Sequence, residues 1–212
     1  MADFWSVLLS TFTGALSQAN ALTAWEAVAV VLAAAYLVLA MKGSIWCWFA
    51  AFVSTAIYTA LFWKVSLLME SVLNIYYMAM AIYGYQQWSK YQQGSHSGVI
   101  SWSVERHLQI ILLTALISIS IGYVMATYTH ASYPYLDAAT TCYAVMTTYL
   151  VAKKVLENWL YWVVIDLVSI YLYLQKGLML TSLLFVLYVG MAICGYFLWR
   201  SSMRDENLTA FS

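Results

Sequence analysis

Residues 157–166 read ENWLYWVVID. They place an amide, two indoles, a phenol and a carboxylate inside a segment that is otherwise apolar enough to cross a bilayer. An ionisable group at membrane depth is energetically expensive, and it usually faces a cavity on a substrate or ion pathway. A carboxylate beside aromatic rings also suits a flat cationic ligand. Spacings of three or four residues put one polar set on a single helical face, namely Asn158, Trp162, Asp166, Ser169 and Tyr173.

The composition around this segment is that of a membrane protein. Of the 212 residues, 64% are hydrophobic and 8% are charged, whereas about a quarter are charged in a soluble domain. We therefore predict an all-α integral membrane protein with seven transmembrane helices. Each apolar span is close to the ~20 residues that a bilayer requires, and the spans lie at 24–41, 46–63, 67–88, 107–127, 136–152, 157–174 and 178–199.

Composition also excludes several functions. The net charge is zero, which argues against a nucleic-acid partner. The three cysteines Cys47, Cys142 and Cys194 lie in apolar segments without a zinc-binding spacing, so they are interpreted as small buried hydrophobic residues. Neither a metal nor a cofactor is predicted.

The spans are organised by an internal repeat. Residues 26–88 align with residues 137–199 at a constant shift of 111, with 17 identities in 63 positions. An odd fourth span separates the two copies, so both enter the membrane in the same orientation. Parallel repeats of this kind occur in transporters such as the SWEET proteins, whose substrate sites lie near the midplane between the halves. The predicted architecture is thus two parallel three-helix repeats joined by a linker helix, or 3+1+3.

Domain boundaries follow from the repeat. Residues 1–20 are predicted to hold a short amphipathic interfacial helix, because residues 3–18 carry apolar side chains among Ser and Thr. The remaining units are predicted to be repeat 1 at 24–90, a loop and linker helix at 91–130, repeat 2 at 136–200 and a cytoplasmic tail at 201–212.

The distribution of basic residues predicts the orientation. Seven of the nine Lys and Arg residues lie on the side of the C-terminus, and only Lys64 and Lys176 lie on the other. Because cytoplasmic loops carry the excess of Lys and Arg, the C-terminus is predicted to be cytoplasmic and the N-terminus outside. Trp88 and Trp199 stand at span ends and are interpreted as interfacial belt residues.

Positions that differ between the repeats are candidates for specificity. Asn158, Trp162 and Asp166 align with Cys47, Ala51 and Thr55 of the first copy. The third span carries its own polar face, with Glu70, Asn74 and Tyr77. Two other interpretations stay open: Asp166 as a structural partner of a buried hydroxyl, and Glu70 as a side chain that reaches the outer interface.

These residues resemble the PnuC family of bacterial nicotinamide riboside transporters. The resemblance rests on residues 157–162 through Asp166, on Lys176-Gly177-Leu178 and on Gly195-Tyr196, and it covers roughly residues 24–200. It implies an inner-membrane protein of the 3+1+3 type that takes up nicotinamide riboside for NAD biosynthesis by facilitated diffusion. It further implies trapping by a cytoplasmic nicotinamide riboside kinase, and a homotrimer.

The resemblance also suggests roles for the polar residues. The substrate has a flat pyridinium cation, a carboxamide and a ribose. Trp162 with Trp159, Trp48 or Trp46 would stack on the ring. Asn158 and Asn74 would pair with the carboxamide or ribose, and Asp166 and Glu70 with the charge or the hydroxyls. Ser169, Tyr173, Tyr77, its repeat equivalent Tyr188, and Thr55 complete the predicted substrate site.

Other functions are weighed against this one. Related families carry thiamine or riboflavin, and proton coupling through Asp166 or Glu70 is an alternative mechanism to uniport. An intramembrane enzyme would need a nucleophile–base pair or a metal cluster, but the sequence has no Gly-x-Ser-x-Gly or His-Glu-x-x-His motif. A receptor or scaffold is disfavoured by the internal repeat with its polar midplane face.

Overall fold

The computed structural model describes residues 24–64, 68–92, 98–129 and 132–209. This part of the chain confirms the all-α fold and the seven predicted spans. It contains an isolated backbone bridge between Ile100 and Val155 and no strand. The interfacial helix predicted within residues 1–20 lies outside the described residues. The helices are α1 (Ala24–Met41), α2 (Trp46–Lys64), α3 (Leu68–Gln92), α4 (Val104–Tyr128), α5 (Pro134–Ala152), α6 (Asn158–Gln175) and α7 (Met179–Thr209).

Two boundaries differ from the predicted ones. Helix α7 continues ten residues past the span predicted to end at 199, so most of the expected tail is an extension of that helix. Within the predicted loop and linker helix at 91–130, the linker helix α4 begins at Val104, three residues before the predicted start of its span at 107. The added helical turns of α7 carry Arg204 and Asp205, which suit the water beyond the membrane rather than its core.

Length and apolarity alone mark three of the described helices as able to cross a membrane. The qualifying windows are Trp46–Trp63, Val104–Tyr128 and Thr181–Asp205, and α1 adds a shorter apolar helix at Trp25–Met41. Helix α6 is 18 residues long, but Asn158 and Asp166 lower its mean hydropathy. The polar interior face of α6 therefore keeps its mean hydropathy below that of the three helices.

Six helices close into a ring. Each contacts the next in the order α1, α2, α3, α5, α6, α7, and α7 returns to contact α1. The two contacts between repeats, α3 with α5 and α7 with α1, are equivalent under the repeat. Helix α4 lies outside the ring, where its backbone packs along α5 and its His107 side chain reaches Tyr161 of α6. The ring thus places α2 and α6 on opposite sides of a shared interior.

The first two helices of each repeat are joined by the same turn, which we call the first corner (residues 42–47) and the second corner (residues 153–158). Gly43 has a φ of +66°, and its equivalent Lys154 has a φ of +53°. The next amides, of Ser44 and Val155, donate to Leu39 and Leu150 carbonyls at 3.0 Å in both cases. This is the hydrogen-bond pattern of a Schellman helix end, where glycine is usual and lysine is not.

Four buried tryptophans, Trp48, Trp88, Trp199 and Trp159, form a layer that crosses between the repeats. Successive rings lie 5.4, 5.9 and 5.4 Å apart. The indole Nε1 of Trp88 donates to the Val151 carbonyl at 3.2 Å, and that of Trp199 donates to the Ala40 carbonyl at 3.0 Å. Because Ala40 and Val151 are repeat equivalents, the two bonds are reciprocal.

The interfacial interpretation of Trp88 and Trp199 is wrong. Their exposed fractions are 0% and 2%, because each indole finds its hydrogen-bond acceptor in the opposite repeat rather than at the membrane surface. The layer lies at the end of the ring that carries both corners. The Asp137–Lys176 ion pair, 2.9 Å long, lies at the opposite ends of α5 and α6.

Two equivalent glycines admit the layer. A Cβ atom on Gly84 would lie 2.3 Å from Cε2 of Trp48, and one on Gly195 would lie 2.7 Å from Cδ2 of Trp159. Real Cβ atoms do not approach carbon so closely, because van der Waals contact begins near 3.5 Å. Each glycine therefore allows the last helix of its repeat to close over the indole of the middle helix.

Candidate functional site

Helix α6 has two faces with different chemistry. Leu160, Tyr161, Val164 and Val168 line a cavity on the outside of the ring. The opposite side carries the polar set predicted from the sequence, of which Asn158, Asp166 and Ser169 are buried. Since side chains three or four residues apart share a helical face, this second side faces the ring interior.

Asp166 is the strongest sign of a ligand in that interior. Its residue is 4% exposed, and no described group donates a hydrogen bond to its carboxyl. Asp166 and Tyr58 both lie close enough to Tyr188 to interact with it electrostatically. These residues come from α6, α2 and α7, so their side chains converge across the ring. A buried carboxyl without a partner carries a desolvation penalty that a cationic ligand would offset.

Asn158 opens α6 and offers a second unfilled polar atom. Its Nδ2 donates to the Val155 carbonyl at 2.7 Å, which fixes the amide against the second corner. Its Oδ1 is buried and has no hydrogen-bond partner in the part of the chain that the structure describes. Buried polar groups are normally paired, so this oxygen is free to accept from a ligand amide, hydroxyl or water.

Aromatic side chains surround the same interior. Trp162 is half-buried and packs against the core that includes the tryptophan layer. Tyr173 contacts Phe185 at 5.1 Å between ring centroids, and Phe185 contacts Tyr188 at 5.5 Å. In the first repeat, Tyr36 lies within electrostatic range of Tyr77. Rings in this arrangement provide flat surfaces on which a heterocycle stacks.

The remaining predicted site residues are placed differently. Trp48 and Trp159 are buried in the tryptophan layer. The Nε1 of each indole has no hydrogen-bond acceptor among the described residues. Trp46 is 66% exposed and contacts Phe49 edge-on at 6.3 Å, outside the ring. Thr55 is satisfied by its own helix, donating to the Ala51 carbonyl at 2.8 Å.

Two residues of the third helix complete the predicted set. Asn74 is half-buried and already has an interaction partner. The Glu70 side chain lies outside the described residues. The structure therefore brings together the polar and aromatic residues of α6 and α7, with Tyr58 of α2, while the Trp46 side chain stands apart from them.

Two cavities formed by described residues lie elsewhere. One, of about 590 Å³, lies between α4, α5 and α6, and the other, of about 300 Å³, lies against α2 and α3 beside Trp46. Neither contains Asp166 or Trp162. The candidate site is marked by unpaired buried polar atoms rather than by a cavity. A site that is enclosed by its own side chains opens only when helices move.

Glu157, the first residue of the opening stretch, has a role that sequence reasoning missed. Its carboxylate accepts hydrogen bonds from Ser101 Oγ and, at 3.4 Å, from the Trp102 amide. The backbones of the linker and the second corner also pair, through Ile100 to Lys154 at 3.0 Å and Leu156 to Ile100 at 2.8 Å. The available signal was the repeat itself, because Glu157 aligns with Trp46 and a charge replaces an indole.

Within the described residues, no group of three or more His, Cys, Asp or Glu side chains gathers to hold a metal ion. The arrangement instead offers one carboxyl, one amide oxygen and several aromatic rings. These groups recognise an organic cation by charge, hydrogen bonding and stacking.

Comparison with known proteins gives one family. Residues 23–201 match the family model described as nicotinamide mononucleotide transporter. The nicotinamide riboside transporter PnuC of Escherichia coli is 22% identical over 88% of this chain and 89% of its own length. The riboflavin/roseoflavin transporter RibM of Streptomyces davaonensis is 25% identical over 81% of this chain and 82% of its length.

A solved structure has the same fold. The crystal structure of the vitamin B3 transporter PnuC superposes with a TM-score of 0.69 at 19% sequence identity, over 96% of this chain and 92% of that one. These relatives are transporters rather than enzymes.

Proposed function

This chain belongs to the nicotinamide mononucleotide transporter family, and on that premise we propose that it takes up nicotinamide riboside by facilitated diffusion. Its family and its apolar helices make it a bacterial inner-membrane transporter of a vitamin. The observation that carries the finer proposal is Asp166, a buried carboxyl to which no described residue donates a hydrogen bond, inside a ring of helices that carry aromatic side chains. A cationic heterocycle would supply a positive charge to pair with the Asp166 carboxyl.

Each part of the riboside has a matching group. The pyridinium cation lies between the Trp162 indole and the Asp166 carboxyl, where charge pairing and cation–π attraction act together. The carboxamide donates to the unpaired Oδ1 of Asn158. The ribose hydroxyls face Ser169 and the tyrosines of α7, which accept and donate hydrogen bonds.

Charge also separates the riboside from its phosphorylated form. The family model is described by the mononucleotide, whereas the relative from Escherichia coli is named for the riboside. A phosphate adds about two negative charges at neutral pH, and these would meet the buried Asp166 carboxyl. We therefore propose the riboside as substrate, with retention after phosphorylation by a cytoplasmic kinase.

Orientation and assembly belong to the same proposal. We propose that the end of the ring that carries both corners faces the cytoplasm, with the C-terminus, because Lys and Arg are in excess there. The N-terminus is then outside. Assembly as a homotrimer is proposed from the family resemblance.

A second candidate is riboflavin, favoured by the likeness to the transporter RibM. The riboflavin ring system is neutral, so its recognition would rest on stacking and on hydrogen bonds, and a carboxyl would add no charge pairing. Thiamine, another ring-bearing cation, is compatible with Asp166. Proton coupling predicts uptake that collapses with the proton gradient, whereas uniport predicts equilibration without it.

The test is calorimetric titration of the purified protein with nicotinamide riboside, the mononucleotide, thiamine and riboflavin. We expect binding of the riboside alone. Trp162→Ala and Asn158→Ala should each weaken this binding by more than about tenfold, or 1.4 kcal/mol, with unchanged protein yield. Binding of riboflavin or thiamine in place of the riboside would reject the substrate. Unchanged affinity in both variants would remove α6 from the site.

A further inference from the structure

The 590 Å³ cavity outside the ring is a groove with an apolar wall and one polar end. Helix α5 forms its floor, and α4 and α6 form its sides. The polar groups along the wall are satisfied within the protein: Tyr143 donates to the Ile111 carbonyl at 3.0 Å, and Thr140 donates to the Leu136 carbonyl at 3.0 Å. A ligand lying along this wall therefore meets hydrocarbon only.

We propose that this groove binds a membrane phospholipid, with one acyl chain along α6 and the phosphate-ester region at His107. From Glu157 to Val168, which both line the groove, the rise of α6 is about 16 Å. One leaflet of a bilayer has a hydrocarbon depth of about 15 Å. The groove thus matches an acyl chain that enters from the membrane surface and ends near the midplane.

The polar end carries a donor without an acceptor. His107 Nδ1 lies 2.9 Å from the Tyr161 hydroxyl. When this hydroxyl donates to Nδ1, the imidazole proton lies on Nε2. Nε2 is buried and has no hydrogen-bond partner among the described residues, and the Glu157 carboxylate oxygen Oε2 lies 3.5 Å from it. An ester or phosphate oxygen of a lipid would accept a hydrogen bond from Nε2.

The residue that precedes His107 in α4, Arg106, carries a positive charge. The Arg106 guanidinium lies over the Trp102 ring at 5.9 Å, at the start of α4. It is exposed, and it belongs to the excess of basic residues at the end proposed to face the cytoplasm. Basic residues at this level of a membrane attract anionic phosphate groups. The positive charge of Arg106 suits an anionic lipid head group, and the apolar wall of the groove suits an acyl chain.

The polar end favours a lipid over a helix of a second copy. An apolar transmembrane helix laid along the groove would leave His107 Nε2 without an acceptor, whereas a lipid brings an ester or phosphate oxygen to it. Among the described helices, none covers the equivalent surface of the first repeat, and Trp46 and Phe49 occupy the positions of Glu157 and Leu160 in the second. The groove is therefore specific to the half that holds α4.

Two matched variants test the proposal by native mass spectrometry, with palmitoyl-oleoyl phosphatidylglycerol added to the purified protein. Val164 is exposed and lines the groove, and Val124 is exposed on α4 away from it. Val164→Trp should reduce the lipid-bound fraction by about tenfold, the effect of excluding roughly two methylene groups from apolar contact. Val124→Trp should leave that fraction unchanged. Thermal melting of both variants checks that each is folded.

Riboside titration of the same samples keeps this test separate from the proposed function. Normal riboside affinity with loss of lipid in Val164→Trp alone supports the groove as a lipid site. Equal lipid binding by both variants and the native protein overturns it. A change of oligomeric mass in Val164→Trp, without loss of lipid, also overturns it and makes the groove a contact between copies of the chain.

Discussion

The first and second corners have the same backbone and different surroundings. Both reverse the chain through a residue of positive φ, and both repeat the same hydrogen bonds. At the second corner, the linker segment pairs with Lys154 and Leu156, and Glu157 accepts bonds from Ser101 and Trp102. At the first corner, an exposed Trp46 takes the place of Glu157.

The difference shows how two repeats with the same backbone acquire different contacts. The corners are set by local backbone geometry, which both copies retain. One substitution, a carboxylate in place of an indole, then gives the linker an acceptor in the second copy only. The residue after that carboxylate is Asn158, so the linker is fastened at the start of the helix that carries the candidate site.

The largest expected effect tests what the halves share. Gly84→Ala and Gly195→Ala should each lower the apparent Tm in detergent by about 5 °C or more, because overpacking an indole costs about 1–3 kcal/mol. Gly190→Ala on α7 is the control, since nothing lies within 4 Å of its Cβ position. It should not lower the Tm, because alanine favours a helix by about 1 kcal/mol. A lower Tm for one of these two variants and not for the other would refute the equivalence of the repeats.

The next effect tests what separates the halves. Glu157→Ala should speed amide exchange at Ile100 and Leu156 by about tenfold, because removal of charged hydrogen bonds weakens linker docking by about 1.4 kcal/mol. Trp46→Ala changes the equivalent position and should leave both amides unchanged. Hydrogen exchange followed by mass spectrometry measures the two variants together. Unaltered protection in Glu157→Ala would mean that the backbone bridge alone holds the linker.

The smallest effect compares the reciprocal indole bonds. Trp199→Phe should lower the apparent Tm by about 2–4 °C, the result of losing roughly 1 kcal/mol. The loss is modest because the Ala40 carbonyl keeps a second donor, the Gly43 amide at 2.9 Å. Trp88→Phe should lose slightly more, since Lys154 Nζ lies 4.6 Å from the Trp88 ring and its equivalent is Gly43. The reverse order in thermal melts would contradict the role given to Lys154.

Much of the fold could be predicted because local patterns determine it. The apolar segments of the sequence predict the helices, and the repeat at a shift of 111 residues predicts that the two halves are equivalent. The tryptophan layer could not be predicted, because its acceptors at Ala40 and Val151 lie more than sixty residues away in the chain. A tryptophan at a span end looks the same in sequence whether its indole meets lipid head groups or a distant carbonyl.

The site was predictable in part for a related reason. Helical spacing alone placed Asn158, Asp166 and Ser169 on one face, and all three are buried. Spacing within a helix does not tell which face of a neighbouring helix meets it. For that reason Trp46, the first residue of the middle helix of the first repeat, was included in the predicted site although its side chain lies outside the ring.

The central claim is that the Asp166 carboxyl recognises the positive charge of the substrate. The most direct measurement compares nicotinamide riboside with its neutral dihydro form, in calorimetric titrations of the native protein and Asp166→Asn. We predict that the native protein prefers the cation by about tenfold or more, which is 1.4 kcal/mol, and that Asp166→Asn loses this preference. An equal preference in both proteins would contradict the account.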